Sequence, residues 1–265
     1  MHPLLNIGVR AARRAGDFIV KSLSRLDSLK IDSKGRNDFV TDIDRKAEEE
    51  IIATVRKSYP DHAFLGEESG RSGESDYVWI IDPLDGTTNF LHGFPTFSVS
   101  IAVQHKGRLE QAVIYDPSRQ ELFTASRGDG AQLDGRRIRV SHQRGLEGAL
   151  ISTGFPYRMQ AEHVDPYLAV LKAVMNVAAG VRRPGSAALD LAYVAAGRTD
   201  GFWEFGLSAW DTAAGALLIQ EAGGRIGNPN GSDYVLGPNV VAGNPKVYEN
   251  LLELIRPLVP AALQQ

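Results

Sequence analysis

A pair of carboxylates, together with a glycine and two hydroxyls, follows a short apolar run in the first half of this chain. The segment reads Tyr77-Val78-Trp79-Ile80-Ile81-Asp82-Pro83-Leu84-Asp85-Gly86-Thr87-Thr88-Asn89. Two carboxylates so close together repel each other unless a cation lies between them or one of them keeps a proton. The glycine and the hydroxyls beside them could donate hydrogen bonds to an anion. The segment therefore predicts a site for a hard metal ion beside a phosphate-binding turn.

Other carboxylates on separate parts of the chain could join this site: Glu67, Asp211 and, as a helper, Asp44. Mg²⁺ prefers oxygen ligands in octahedral geometry, usually carboxylates, water and substrate phosphate oxygens. The histidines show no HExxH spacing and the chain has no cysteine, which argues against a softer metal and excludes disulfides and thiolate chemistry. Each acid also has a simpler interpretation. Asp44 and Asp211 fit helix-capping positions, and Glu67 fits a solvated surface acid.

Two segments could present backbone N–H groups to a phosphate at the start of a helix. They are Gly86-Thr87-Thr88 and Gly185-Ser186-Ala187-Ala188. The simpler interpretation of the second is an ordinary serine N-cap. The chain contains no Walker A sequence, and the residues around Ser208 lack the second glycine of a nucleophile elbow.

These residues need a scaffold, and the hydrophobic pattern predicts one. Residues 77–81 are typical of a buried strand, which Pro83 is expected to end because proline has no N–H for the sheet. Open α/β sheets bind ligands at the carboxyl ends of their strands. The pattern predicts helices over 3–24, 42–58, 186–196 and 210–222. It predicts strands over 97–104, 109–115, 121–125, 138–140 and 200–205, with a hairpin turn at 105–108 and an antiparallel meander around it.

The overall composition argues against several classes of function. The chain has 265 residues, 43% of them hydrophobic and 23% charged, which suits one domain with two closely packed halves, about 1–144 and 145–265. The net charge of −3 argues against direct nucleic-acid binding. No apolar run reaches the roughly 18 residues of a membrane span, and the first residues lack a secretory pattern. We expect a cytoplasmic enzyme.

Three stretches resemble the Mg²⁺-dependent inositol monophosphatases. They are Gly66-Glu67-Glu68-Ser69, Asp82-Pro83-Leu84-Asp85-Gly86-Thr87 and Trp210-Asp211-Thr212-Ala213-Ala214-Gly215. The likeness extends over essentially the whole chain, and residues 37–41 and 185–193 resemble the bacterial, SuhB-like branch. The resemblance implies an α/β fold, the layered αβαβα sandwich that this family shares with fructose-bisphosphatases. It also implies a homodimer, activation by Mg²⁺ with two or three ions per site, and inhibition by Li⁺.

The resemblance also implies roles for individual residues. The metal ligands would be Glu67, Asp82, Asp85, Asp211 and the carbonyl of Leu84. The catalytic residues around the attacking water would be Asp44, Thr87 and Glu67. The phosphate would contact Gly86, Thr87 and Thr88, and the rest of the substrate would contact Asp85, Arg182, Gly185, Ser186, Ala187, Glu204 and Asp211. Lys34 would lie on a loop similar to the family's mobile active-site loop.

The implied reaction is hydrolysis of a phosphate monoester by metal-activated water, with an inositol monophosphate as the expected substrate. Nucleotide and sugar bisphosphate phosphatases share the same metal signature and remain alternatives. Haloacid-dehalogenase phosphatases, which use an aspartyl nucleophile, separate their acids by one residue, whereas two separate Asp82 from Asp85. A further alternative is not enzymatic, because SuhB-like proteins are associated with RNA polymerase and Nus-factor complexes. The acidic net charge favours protein contact in that role.

Overall fold

The computed structural model describes residues 2–24, 31–35, 38–155 and 161–264, and for residues 31–35, 38–40 and 161 it describes the backbone alone. The helices are α1 (Pro3–Ser22), α2 (Asp42–Arg56), α3 (Thr87–Leu91), α4 (Val164–Met175), α5 (Ala187–Ala195), α6 (Ala209–Glu221) and α7 (Pro245–Ile255). The strands of the first half are β1 (Ile31–Gly35), β2 (Asp38–Thr41), β3 (Ala63–Gly66), β4 (Gly70–Ser72), β5 (Tyr77–Asp85), β6 (Ser98–His105), β7 (Arg108–Asp116), β8 (Glu121–Ser126), β9 (Gly130–Leu133) and β10 (Arg136–Arg137). Those of the second half are β11 (Leu150–Thr153), β12 (Gly180–Arg182), β13 (Gly201–Phe205), β14 (Arg225–Gly227) and β15 (Asn239–Gly243).

Two sheets organise the described part of the chain. The larger has eight strands in the order β10-β9-β8-β7-β6-β5-β3-β4, and the smaller has five in the order β12-β11-β13-β15-β14. In the larger sheet β3 and β5 run parallel, while the other neighbours are antiparallel. In the smaller sheet β11 is parallel to both of its neighbours. A separate antiparallel hairpin joins β1 and β2.

Helices and sheets alternate in layers. Helices α1 and α2 cover one face of the larger sheet, α5 and α6 lie between the two sheets, and α4 and α7 cover the outer face of the smaller sheet. Because side chains alternate along a strand, a strand of the larger sheet can contribute apolar residues to the packing on both faces of the sheet. Trp79 and Ile81 of β5 pack with α1 and α2, while Ile80 packs with the central layer. The expected αβαβα sandwich is confirmed. Among the described helices, none combines the length and the apolar character that a membrane crossing requires.

The helix predictions are confirmed apart from their ends. Helix α2 begins at the predicted capping box, in which the side chains of Thr41 and Asp44 each accept the backbone N–H of the other residue. The helix ends at Arg56, not at residue 58. Helix α5 begins after the Ser186 N-cap. Lys34, expected on a loop, lies in β1, and its side chain is outside what the structure describes, as is all of Asn37.

The meander is confirmed, but one predicted strand is wrong. We expected a strand over 138–140, whereas β10 is Arg136–Arg137 and pairs with β9, a strand that the pattern did not predict. The reason is the turn between them. Asp134 and Gly135 both have positive φ, +49° and +76°, as in the tight two-residue turns that join hairpin strands. Pairing therefore resumes directly after Gly135.

The expectation that Pro83 ends its strand is also wrong. Strand β5 continues to Asp85, with an irregularity in its pairing to β6 between Asp82 and Asp85. Asp82 pairs with Ser100 and Asp85 with Ser98, so the stretch holds one residue more than its partner and forms a β-bulge. A bulge tolerates proline because its extra residue does not need an N–H for the ladder.

The central layer is packed too closely for an added side chain at one helix crossing. A Cβ at Gly215 of α6 would lie 2.5 Å from the Cβ of Leu191 on α5. Gly215→Ala should therefore lower the free energy of unfolding by about 1–3 kcal/mol, measured by urea denaturation, because the core must shift to admit a methyl group. Gly8→Ala on α1 is the control, since its Cβ would meet the Cγ2 of Val113 at 3.2 Å. An equal loss in both variants would contradict this explanation.

Candidate metal centre

The bulge in β5 aims its two aspartates at the same side of the sheet. In a regular strand, residues three apart point to opposite faces. Here Asp82 and Asp85 oppose Ser100 and Ser98, which are two apart on β6 and share a face. The extra residue of the bulge thus changes the parity of the strand. A backbone hydrogen bond from the Leu84 N–H to Asp82 Oδ1, 3.0 Å, fixes the first carboxylate within the bulge.

Glu67 reaches the same edge of the sheet from the neighbouring strand. Strand β3 is parallel to β5, with Gly66 beside Ile81. The chain leaves β3 at Glu67, whose N–H donates to the Ile81 carbonyl at 3.1 Å. Parallel neighbours end at a common edge, so Glu67, which follows β3, and Asp82, near the end of β5, lie at the same edge of the sheet.

Asp211 arrives from the central layer, at the start of α6. It is the third residue of a capping box, and its Oδ2 accepts the Ser208 N–H at 2.7 Å. The hydroxyl of Ser100 on β6 donates to the Trp210 carbonyl at 3.3 Å and ties this helix start to the larger sheet. Asp82, Asp85 and Asp211 each offer a carboxylate oxygen, and these oxygens lie within 4.8 Å of one another. Asp211 can therefore cap helix α6 and offer a carboxylate oxygen to the cluster at the same time.

A chain of hydrogen bonds links Asp44 to this cluster. Thr87 Oγ1 lies 2.9 Å from Asp44 Oδ1 and 3.1 Å from the Leu84 carbonyl, and its single proton serves one acceptor at a time. The other oxygen of Asp44 accepts from the N–H and the hydroxyl of Thr41, at 2.8 and 2.6 Å. Burial raises the pKa of Asp44, against the opposing effect of these hydrogen bonds. The start of α2 is thereby attached to the start of α3.

The turn before α3 accepts only glycine. Gly86 has φ +95°, and a Cβ there would lie 2.9 Å from the Thr96 carbonyl oxygen and 3.2 Å from that of Gly185.

The next residue to matter is Asn89, to which the sequence assigned no role. Its Nδ2 donates to the carbonyls of Thr96 and Pro184 at 2.7 and 2.8 Å, joining the two halves of the chain. Its only sequence signal was its place at the end of the acidic segment.

The start of α5 holds one of the aspartates. Ser186 Oγ donates to Asp85 Oδ2 at 2.6 Å, and the Ala188 N–H donates to the same oxygen at 2.8 Å. Helix starts favour negative charge, and here Asp85 supplies it. Ser186 also accepts from the Leu189 N–H at 3.4 Å, the predicted N-cap bond. The second phosphate turn considered from the sequence is therefore already bound to a carboxylate of the chain itself.

A cleft of about 400 Å³ opens over the cluster. Among its lining residues are the sequence-predicted Glu67, Asp82, Leu84, Asp85, Gly86, Thr87, Thr88, Gly185, Ser186, Ala187, Glu204 and Asp211. Gly154, which the sequence did not single out, also lines it, and the Glu204 carboxylate occupies the space that a Cβ of Gly154 would need.

Arg182 is not part of the cleft lining, whereas its neighbour Arg183 is. Arg182 is exposed at the end of the edge strand β12, and its Nη1 donates to the Val181 carbonyl at 3.1 Å. Adjacent residues of an extended chain point to opposite sides, so only one of the two arginines can face the cleft. The guanidinium of Arg183 lies 5.1 Å from the ring centre of Phe155, another lining residue.

Burial, reinforced by mutual repulsion, disfavours the charged forms of these carboxylates. Burial raises the pKa of Asp82 well above its usual range, and the charges of Glu67, Asp85 and Asp211 raise it further. Burial also raises the pKa of Asp85 to about 6, although the hydrogen bonds from Ser186 and Ala188 oppose the rise. A divalent cation among these oxygens would offset the repulsion. The donor set, all oxygen and all acidic, fits Mg²⁺.

The model of the inositol monophosphatase family matches residues 1–260 of this sequence. The chain belongs to the inositol monophosphatase family. This membership sets aside the haloacid-dehalogenase alternative. Among its relatives, the Nus factor SuhB of Pseudomonas aeruginosa is 56% identical over 271 aligned residues, which cover all of both chains.

Solved structures agree with this membership. The extragenic suppressor protein SuhB from Bartonella henselae is 45% identical, with a TM-score of 0.93 over 96% of this chain and 99% of that one. An inositol monophosphatase from Anabaena is 37% identical, with a TM-score of 0.86 over 98% and 97% of the two chains. The fold and the arrangement of layers are therefore those of the family.

Repulsion within the cluster predicts that one substitution stabilises the metal-free protein. Asp82→Asn keeps an oxygen for the Leu84 N–H and removes a buried charge. Because the folded-state pKa of Asp82 is raised, its contribution to the free energy of unfolding falls as the pH rises above the unfolded-state pKa. In a chelating buffer, the stability advantage of Asp82→Asn over the wild type should grow between about pH 5 and pH 7.5.

Thermal unfolding at several pH values, with a chelator present, measures this difference. Asp76→Asn is the control, since Asp76 is exposed just before β5, beside Lys106. An Asp82→Asn protein that is less stable than wild type at the higher pH would show that the buried charge of Asp82 does not destabilise the cluster.

Proposed function

We propose that this protein is a Mg²⁺-dependent phosphatase that hydrolyses small phosphorylated polyols, with inositol 1-phosphate as the substrate to test first. The observation that carries the proposal is the convergence of Asp82, Asp85 and Asp211 oxygens within 4.8 Å at the floor of a cleft. Membership of the inositol monophosphatase family supports the same reaction class. A cleft of about 400 Å³ suits a small monophosphate.

The residues that would hold two or three Mg²⁺ ions are Glu67, Asp82, Asp85, Asp211 and the carbonyl of Leu84. Mg²⁺ bound there would neutralise phosphoryl oxygens and lower the pKa of water. The support in the structure is that these groups line one cleft and that their carboxylates repel each other without a cation. Li⁺ competing for these oxygens would inhibit.

The chain's own residues would position the water and the phosphate. With its proton donated to Asp44, the hydroxyl oxygen of Thr87 can accept a hydrogen bond from the attacking water. Glu67 would orient the water from the turn after the neighbouring strand β3. Asp44 can take up the proton more readily because burial raises its pKa. The N–H groups of Gly86, Thr87 and Thr88 would hold the phosphate, since these residues line the cleft.

The alcohol part of the substrate would lie on the side formed by the second half of the chain. Its hydroxyls would meet Asp85, Asp211, Glu204 and the turn at Gly185, Ser186 and Ala187. Carboxylates accept hydrogen bonds from hydroxyls, which suits a polyol. The cationic residue of this side would be Arg183 in place of Arg182, because Arg183 lines the cleft.

Phosphate release from inositol 1-phosphate, with and without Mg²⁺ and with added Li⁺, tests the proposal. We expect Mg²⁺-dependent, Li⁺-sensitive release. Asp82→Asn should lower kcat/KM by about 100-fold or more, because charge stabilisation by a metal is worth several kcal/mol. Asp76→Asn should keep normal activity. Normal activity in a folded Asp82→Asn protein would refute the assignment. Phosphate release from nucleotide or sugar bisphosphates alone would change the assigned substrate class but keep the protein among the phosphatases of the same metal signature.

We propose a homodimer and a cytoplasmic location as well, both on the family resemblance. Sedimentation of the purified protein measures the first, and fractionation of the source cells the second.

A second role in transcription has support of its own. The full-length relative with 56% identity carries the name Nus factor, and we propose that this chain also contacts a transcription complex through protein surfaces. The same active-site variant separates the two roles. If Asp82→Asn restores the wild-type phenotype to cells that lack this protein, the binding role is the physiological one. If it fails while wild type succeeds, catalysis is required.

A further inference from the structure

A buried glutamate of α2, outside the cleft lining, holds the turn that carries Glu67. Glu48 is only 2% exposed. Its Oε2 accepts the Glu68 N–H at 3.0 Å and its Oε1 accepts the Ser69 N–H at 2.8 Å. Within the described residues it makes no ion pair with a cation. A buried carboxylate costs free energy unless donors compensate its charge, and here both donors belong to one turn.

This turn is fixed on both sides of Glu67. It joins β3, which ends at Gly66, to β4, which begins at Gly70. The Glu67 N–H is bound to Ile81 of β5, and the next two N–H groups are bound to Glu48. A Cβ at Gly66 would overlap Glu48 Oε2, so the carboxylate fills the space beneath the turn. The backbone around Glu67 is therefore held before any cation arrives.

Helix α2 thereby serves two parts of the site at once. Glu48 follows Asp44 by four residues, and such residues lie on the same face of a helix. Asp44 binds Thr87 at the start of α3, and Glu48 binds the turn after β3. The distance between these two loops depends on the rigid helix that joins their anchors.

We propose that Glu48 is a positioning residue that sets the affinity of the site for divalent cations by holding the Glu67 turn. This inference rests on the proposed Mg²⁺ site. Glu48 touches neither metal nor substrate, and it acts through the Glu68 and Ser69 N–H groups. A turn that must be ordered by the cation would bind it more weakly than one already in place.

Glu48→Gln tests this in the full-length protein. The amide keeps the size of the side chain but has one acceptor oxygen, and its NH₂ group faces an N–H donor. We expect the Mg²⁺ dissociation constant, measured by titration calorimetry without substrate, to rise about tenfold or more. The Mg²⁺ concentration for half-maximal phosphate release should rise in parallel, with kcat at saturating Mg²⁺ close to wild type. Hydrogen exchange of the Glu68 and Ser69 amides should become faster.

Glu49→Gln is the matched control, because Glu49 is exposed on the same helix, and it should change none of these values. A folded Glu48→Gln protein with wild-type Mg²⁺ affinity would overturn the inference, as would a lower kcat with an unchanged Mg²⁺ requirement. If Glu48→Gln fails to fold, Glu48→Asp provides the same measurement, because its shorter carboxylate cannot reach both amides. If the wild type itself binds no Mg²⁺, the proposed function fails and this inference with it.

Discussion

Repulsion among carboxylates at the end of the larger sheet is the constraint on which the rest of the site depends. Asp82 is buried, its pKa is raised, and the charges of three other acids contribute to the rise. Such a cluster lowers stability in the absence of a cation, so the surrounding fold must hold the acids together against their repulsion. The layered sandwich does this by bringing β3, β5 and the start of α6 to one edge.

The four aspartates of the site are fixed by hydrogen-bond donors of the chain, most of them backbone N–H groups. Asp82 accepts from Leu84, Asp85 from Ser186 and Ala188, Asp211 from Ser208, and Asp44 from Thr41. These contacts set the position of a carboxylate and leave its other lone pairs available. Capping a helix and forming a metal site are thus compatible tasks, because a carboxylate has two oxygens. The simple structural interpretation of Asp44 and Asp211 as capping residues was correct, and it is compatible with the site roles proposed for them.

Local patterns predicted most of the elements. Amphipathic periodicity located α1 and α2, and the hydrophobic pattern located the meander, although its last strand begins two residues earlier than expected. The errors arose where pairing between strands decides the outcome. Proline ends an isolated strand, but the partner β6 accommodates Pro83 in a bulge. Which of two neighbouring arginines lines the cleft also depends on packing: Arg183 does, because the direction of a side chain at a sheet edge depends on its neighbours.

The sequence by itself determined the chemistry of this protein: a set of acids without cysteine, an acidic segment after a buried strand, and motifs specific enough to indicate the family. Residue types and short spacings are local properties, so they can be recognised in the sequence without the structure. Only the tertiary structure decided which oxygens converge and that Asp85 accepts hydrogen bonds from the start of α5. It also decided that Asn89 and Glu48 hold the loops around the cleft. These contacts join residues far apart in the chain, and their geometry depends on the packing of whole layers.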